Sequence, residues 1–232
     1  MQSENIMKAR ESIFQVFRSL PLALSITILL LGSFQGNMNL LIFFVGMGVL
    51  IPLLATVLNI LFEFIFKYAG EHFSLPDNVW LIPEGTTCTL FDVLSEKSEP
   101  LNGVPTVWTP MTVFFFTYLF LNAYDIYNRP VPKGVDESAV NARKTRCGMS
   151  MFTIIIVFVL VMIGRYSLMH CENALGLGIG SLLGLFTAWM WYSFVRSCGL
   201  GRFDDIFGIS NRMLSPEVAG TVPTKVCVPV AG

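Results

Sequence analysis

The sequence predicts an all-α, polytopic transmembrane helix bundle, and three observations carry that expectation. The 232-residue chain is 53% apolar and only 13% charged, about half the roughly 25% charged share of a soluble domain. Its mean hydropathy is +0.64. The charges are clumped, which leaves charge-free runs as long as the roughly 20 residues that cross a bilayer.

The chain opens with an amphipathic helix over 1–18. Ile6, Ile13, Phe17 and Leu20 share one helical face, while Glu4, Lys8, Glu11 and Arg18 lie elsewhere. Such a stripe suits a membrane surface. No A-x-A-like cleavage site follows, so a retained signal-anchor or surface segment is expected.

A hydrophobic helical hairpin is expected over 19–66. Its first arm, Ser19–Phe34, is charge-free but only 16 residues long, with Pro21 near its start. Its second arm, Asn39–Phe62, runs 24 residues before Glu63. Three further membrane helices are expected within 107–195. The charge-free segments there are Leu101–Tyr124, with its apolar body from Met111, then Cys147–Gly164 and Asn173–Val195. The last four segments are the strong spans, and 19–34 is the fifth.

Lysine and arginine bear on that fifth crossing. With five crossings they divide six against nine; if 19–34 only dips in, they divide twelve against three. The charge rule thus favours four crossings and hydrophobicity favours five. "LPLALSITILLL" is too apolar to leave at an interface, which tips the reading to five. In either case 67–106 and 165–172 share one face, and 125–150 shares the other with the tail.

The 67–106 loop is acidic and carries four prolines. It is too small for a core of its own and is expected to cap the helix ends, with a short hairpin around "WLIPEGTTCTLFDVL". The tail, 196–232, is expected to be partly extended.

In "NALGLGIGSLLGLFTAWMWY", glycines at 176, 178, 180 and 184 resemble a nucleotide loop at first sight. They lie inside a charge-free run, however, with no Lys-Ser/Thr to meet a phosphate. Gly176, Gly180, Gly184 and Ala188 recur every four residues and so share one helix face. Small residues at that spacing let helices approach closely in lipid. The partner is expected to be a helix of the same chain, with an oligomer seam as the alternative. Trp189, Trp191 and Tyr192 are expected to form an interfacial belt closed by Arg196.

The residues do not assemble a catalytic, metal or cofactor site. His72, Cys88, His170 and Cys171 fall on one face, but their spacings match no compact zinc site. Glu63 and Asp125 end spans at opposite faces. Glu63 is expected to pair with Arg165, and Asp125 with Arg143, Lys144, Arg146 or Arg196, since charge is costly in lipid. Cys88 and Cys171 are the two cysteines that could form a disulfide, on the face expected to be oxidising. No basic tract points to nucleic acid. The positive partner expectations are the lipid bilayer and a homo- or hetero-oligomer.

The tail reads as an attachment element. Phe203, Ile206, Phe207 and Leu214 have helical spacing behind Asp204 and Asp205, which suit a helix start. In "TVPTKVCVPV", Val226 and Val228 belong to a two-residue alternation with Pro223 and Pro229 on the other parity, so only a sheet edge or extended groove would accept it. Folding back on the chain's own helices is the alternative.

Taken together, "FQGNMNLLIFFVGMGVLIPL", "FFFTYLFLNAYDIYNRP", "VNARKTRC" and the tail from "CGLGRFDDIFGISNRML" onward resemble a family of multi-pass membrane proteins. These come from large icosahedral double-stranded DNA viruses of algae and protists. The resemblance runs from about residue 20 to the end and rests on turns and junctions. It implies a structural minor-capsid-associated protein of the internal virion membrane, which derives from host endoplasmic reticulum. Capsid or other virion proteins would be its partners, and no active-site residue carries over. A small transporter or channel is the alternative, which a midplane cavity lined by Thr56, Asn59 or Asn122 would favour. A membrane-embedded enzyme would need a pocket joining Glu63, His170 and Arg165.

Overall fold

The structure, a computed structural model, describes residues 2–73, 106–130, 137–169 and 174–197. The side chains of 2–14, 63, 66, 67, 69–73, 139, 168 and 169 are not among those described. The described residues form an all-α bundle without strands. Its helices are α1 (Gln2–Gln35), α2 (Met38–Phe44), α3 (Ile51–Phe73), α4 (Trp108–Asn128), α5 (Glu137–Ile163) and α6 (Ala174–Ser197). Two π-helical turns, Val45–Leu50 and Gly164–Met169, join α2 to α3 and extend α5.

Four stretches are long and apolar enough to cross a membrane: Gln15–Gln35, Met38–Phe62, Val140–Ser167 and Ala174–Ser197. The expected strong span over 101–124 is not one of them. The physical reason is its place in the bundle. α4 is the enclosed helix, buried on several sides at once: Trp108, Thr109, Phe114, Tyr118, Asn122 and Ile126 are all inside. A helix wrapped by others need not be uniformly apolar, and its threonines, tyrosines and asparagine lower its hydropathy.

The first two expected elements merge. α1 is one helix of 34 residues, roughly 51 Å long at 1.5 Å per residue. That exceeds a hydrocarbon core of about 30 Å, so one rod holds both the polar N-terminal stretch and the apolar span. Pro21 sits inside it, so its ring interrupts the hydrogen-bond ladder without ending the helix. α1 and α2 turn at Gly36, whose φ of 61° is a left-handed value that glycine adopts freely. Asn37 then caps α2, its side-chain oxygen accepting from the Asn39 amide at 3.0 Å.

The π turn before α3 has a cause in Pro52. A proline cannot donate to the carbonyl four residues back and collides with it, so the turn ahead widens to the i→i+5 pattern, as in the Ile51 amide bonding to the Gly46 carbonyl. The helix continues through it, so Gly46, Gly48 and Pro52 mark a packing adjustment and not a break. α3 runs on to Phe73 and α5 begins at Glu137. The helical parts therefore take in the first residues of the expected 67–106 loop and much of the 125–150 connection.

The core is aromatic. The ring of Phe43 stacks on Tyr118 at 4.6 Å and Phe114 at 6.0 Å, and Tyr118 meets Tyr192 edge-on at 5.3 Å. Offset and edge-to-face pairs of this kind add about 0.5–1.5 kcal/mol each beyond burial. They join α2, α4 and α6 in one cluster.

Candidate functional site

Three places in the bundle bring chemistry-bearing residues together: the glycine seam, the Trp108 end and the Asp125 end. The seam runs along α6. Gly176, Gly180 and Gly184 are buried, as is Ala188. A Cβ at Gly180 would lie 3.0 Å from the Thr109 methyl, and one at Gly184 would lie 2.6 Å from the Pro110 carbonyl oxygen. Thr109 therefore sits opposite Gly180, Val113 opposite Gly184, and Asp125 opposite Arg196. The offset in residue number stays constant, so α4 and α6 run parallel and hold register over four turns. The seam is internal to the chain. The aromatic residues beyond it divide: Trp189 is exposed, whereas Tyr192 is buried. Trp191 donates from Nε1 to the Ile42 carbonyl at 3.1 Å. Only part of the expected belt faces outward, because Trp191 is held against the Ile42 and Gly46 backbone and Tyr192 packs on Tyr118 of α4.

At the Trp108 end, α1, α4 and α5 meet through one indole. Pro21 has no N–H to offer the carbonyl of Phe17 four residues earlier. Trp108 supplies the donor instead: its Nε1 lies 2.9 Å from the Phe17 oxygen. The Phe17 ring lies over Gly164, where a Cβ would come within 2.9 Å of it. On the ring of Trp108 sits the guanidinium of Arg165, 4.7 Å from the centroid. Such a cation–π contact is worth on the order of 2 kcal/mol when desolvated.

Arg165 was expected in an interfacial loop, yet it is 0% exposed. The π turn Gly164–Met169 prolongs α5 and carries the guanidinium inside. The side chain of Glu63, its expected partner, lies outside the described residues. So do the cysteines of the expected Cys88–Cys171 bridge, the hairpin near 80–94, and the tail residues Phe203, Ile206, Phe207, Leu214, Val226 and Val228. Cys147 is buried.

At the Asp125 end, the carboxylate accepts from Arg196 at 2.6 Å and lies 3.7 Å from Arg129. Arg143 donates from Nη2 to the Arg129 carbonyl at 2.8 Å. α4, α5 and α6 are thus clasped where they leave the bundle. Arg196 is 62% exposed, so water screens the pair. Asp125→Asn should cost at most about 1 kcal/mol. Unfolding at low and high salt checks this, since the difference between the two proteins should shrink as salt rises.

Of Thr56, Asn59 and Asn122, Asn122 is set beside a cleft. Thr56 is exposed and donates to the Pro52 carbonyl at 2.8 Å, whereas Asn122 is buried in α4. Asn122 does line a cleft of about 350 Å³ between α4 and α5, together with Leu119, Ala123, Met149, Ser150 and Thr153.

The Trp108–Phe17 bond had a partial sequence signal. Pro21 announces an orphaned carbonyl, but nothing local announces the indole 91 residues away. Comparison with protein-family models, with curated proteins and with solved structures finds no match to this chain.

Proposed function

We propose that the chain is a structural integral membrane protein, a scaffold whose helix bundle anchors extramembrane segments in a bilayer. The observation that carries this reading is the enclosure of α4. Its buried face is filled by aromatic rings and by the backbone contacts at Gly180 and Gly184. The charged groups described at its two ends lock helices together: Arg165 lies on Trp108, and Asp125 is held by Arg196. Such an arrangement suits a rigid anchor.

The finer reading is a virion component that links an internal membrane to a capsid shell. Its support is the family resemblance of the junction and tail sequences. In this reading the bundle holds the bilayer, and the alternating valines near Val226 and Val228 extend a β-rich partner's sheet. Deleting residues 216–232 should leave membrane insertion intact and reduce incorporation into particles severalfold. Immunoblots of membranes and of purified particles read the two quantities separately. Unchanged incorporation of the truncated chain would rule out the tether.

A further inference from the structure

The geometry points to a binding site for one anionic phospholipid in the cleft between α4 and α5, its phosphate on arginines at the Asp125 end and an acyl chain along the cleft. Both walls of the cleft lead to arginine. On α5, Arg143, Arg146, Ser150 and Thr153 are spaced by three, four and three residues, which places them on one helical stripe. On α4, Leu119, Asn122, Ala123 and Ile126 form the matching stripe, which leads to Arg129 at the end of the helix. The two stripes meet where Arg143 donates to the Arg129 carbonyl.

Depth agrees with a lipid. Ser150 lies one helical turn, roughly 6 Å, beyond Arg146 along α5. A phosphate held at Arg146 would therefore deliver acyl carbon to the level of Ser150, Thr153 and Leu119. The cleft is open on its outer side, where Met149 and Phe152 are exposed. In a chain with four membrane-length apolar stretches, that side meets lipid.

Charge decides the class of headgroup. Arg129, Arg143, Lys144, Arg146 and Arg196 gather at this end, and among the described residues only Asp125 and Glu137 oppose them. Asp125 already serves Arg196 and Arg129. Arg143 is held to the Arg129 carbonyl, whereas Arg146, one turn nearer the cleft, is exposed, and its planar guanidinium fork suits the paired oxygens of a phosphate.

The test uses the full-length protein, purified in detergent and stripped of lipid. Native mass spectrometry then measures retention of added phosphatidylglycerol and of phosphatidylcholine, with inorganic phosphate as a third addition. Phosphatidylglycerol should bind at least about five-fold more tightly, the factor one interfacial arginine supplies. Arg146→Gln, at an exposed position, should remove about that factor and leave phosphatidylcholine unchanged. Ser150→Phe, which fills the cleft, should weaken both lipids while the melting temperature holds. Equal affinity for the two lipids overturns the proposal, as does a preference that survives Arg146→Gln. Displacement of the lipid by inorganic phosphate alone also overturns it, because the site would then be for a free anion.

Discussion

Gly184→Leu should destabilise the bundle by about 3 kcal/mol or more, and Gly178→Leu on the same helix should cost almost nothing. At Gly184 a Cβ would stand 2.6 Å from the Pro110 carbonyl oxygen and 3.1 Å from the Phe114 amide nitrogen. Both are backbone atoms inside α4, so neither can swing aside as a side-chain tip would. The two helices must separate, and the constant register between them means that the strain spreads to the Thr109–Gly180 contact one turn away. Overpacking of a well-filled core costs about 1–3 kcal/mol, and more where the backbone must move. At Gly178 nothing lies within 4 Å, and a leucine there would face outward. Denaturant titration of both variants in mixed micelles reads the contrast. Equal losses at the two positions would mean that α4 and α6 are not in contact.

Trp108→Phe should cost about 1–2 kcal/mol in the native chain and clearly less in a Pro21→Ala background. The substitution keeps most of the ring and removes the indole N–H. The Phe17 carbonyl then has neither its intrahelical donor nor its replacement, and a buried orphan acceptor costs about 1–3 kcal/mol. Hydrogen bonds in membrane bundles reach about 1.7 kcal/mol in double-mutant cycles, which sets the upper part of the range. An alanine at position 21 restores the amide four residues after Phe17, so the helix can satisfy its own carbonyl. The coupling energy from the four proteins should therefore be positive and exceed the roughly 0.5 kcal/mol scatter of additive sites. Strict additivity would show that Trp108 acts through packing alone. Trp108→Ala should be worse than either, at about 3–5 kcal/mol, because the ring also carries Arg165.

These two predictions mark what sequence could and could not reveal. The α6 seam is legible because its signal is local: small residues every four positions define a face whatever they touch. Helicity and the main apolar stretches are legible for the same reason, since composition and spacing act within one segment. The fate of Pro21 is not. Near the start of a short apolar run it reads as a helix boundary, yet α1 passes through it because a donor from α4 rescues the freed carbonyl. Arg165 misleads in the same way. Beyond the last apolar residue of a span it reads as interfacial, and only the π turn that carries α5 onward places it under Trp108. For Asp125, sequence supplied a set of reachable arginines. Register selected Arg196 from that set, because α4 and α6 run parallel with a constant offset. Arg129, at the end of the same helix, lies beside Asp125 as well. α4 shows the converse limit: hydropathy ranks a helix by its fitness for lipid, and this one is surrounded mainly by protein.

The measurement that bears most directly on the proposed function is the location of the chain in purified virus particles. Particles are treated with protease while intact, then stripped of their shell with the internal membrane preserved, and the chain is followed by peptide mass spectrometry. A virion membrane scaffold predicts a constant ratio to the capsid protein, protection in the intact particle and recovery with the membrane after stripping. Absence of the chain from particles, with retention in cellular membranes only, would contradict the account.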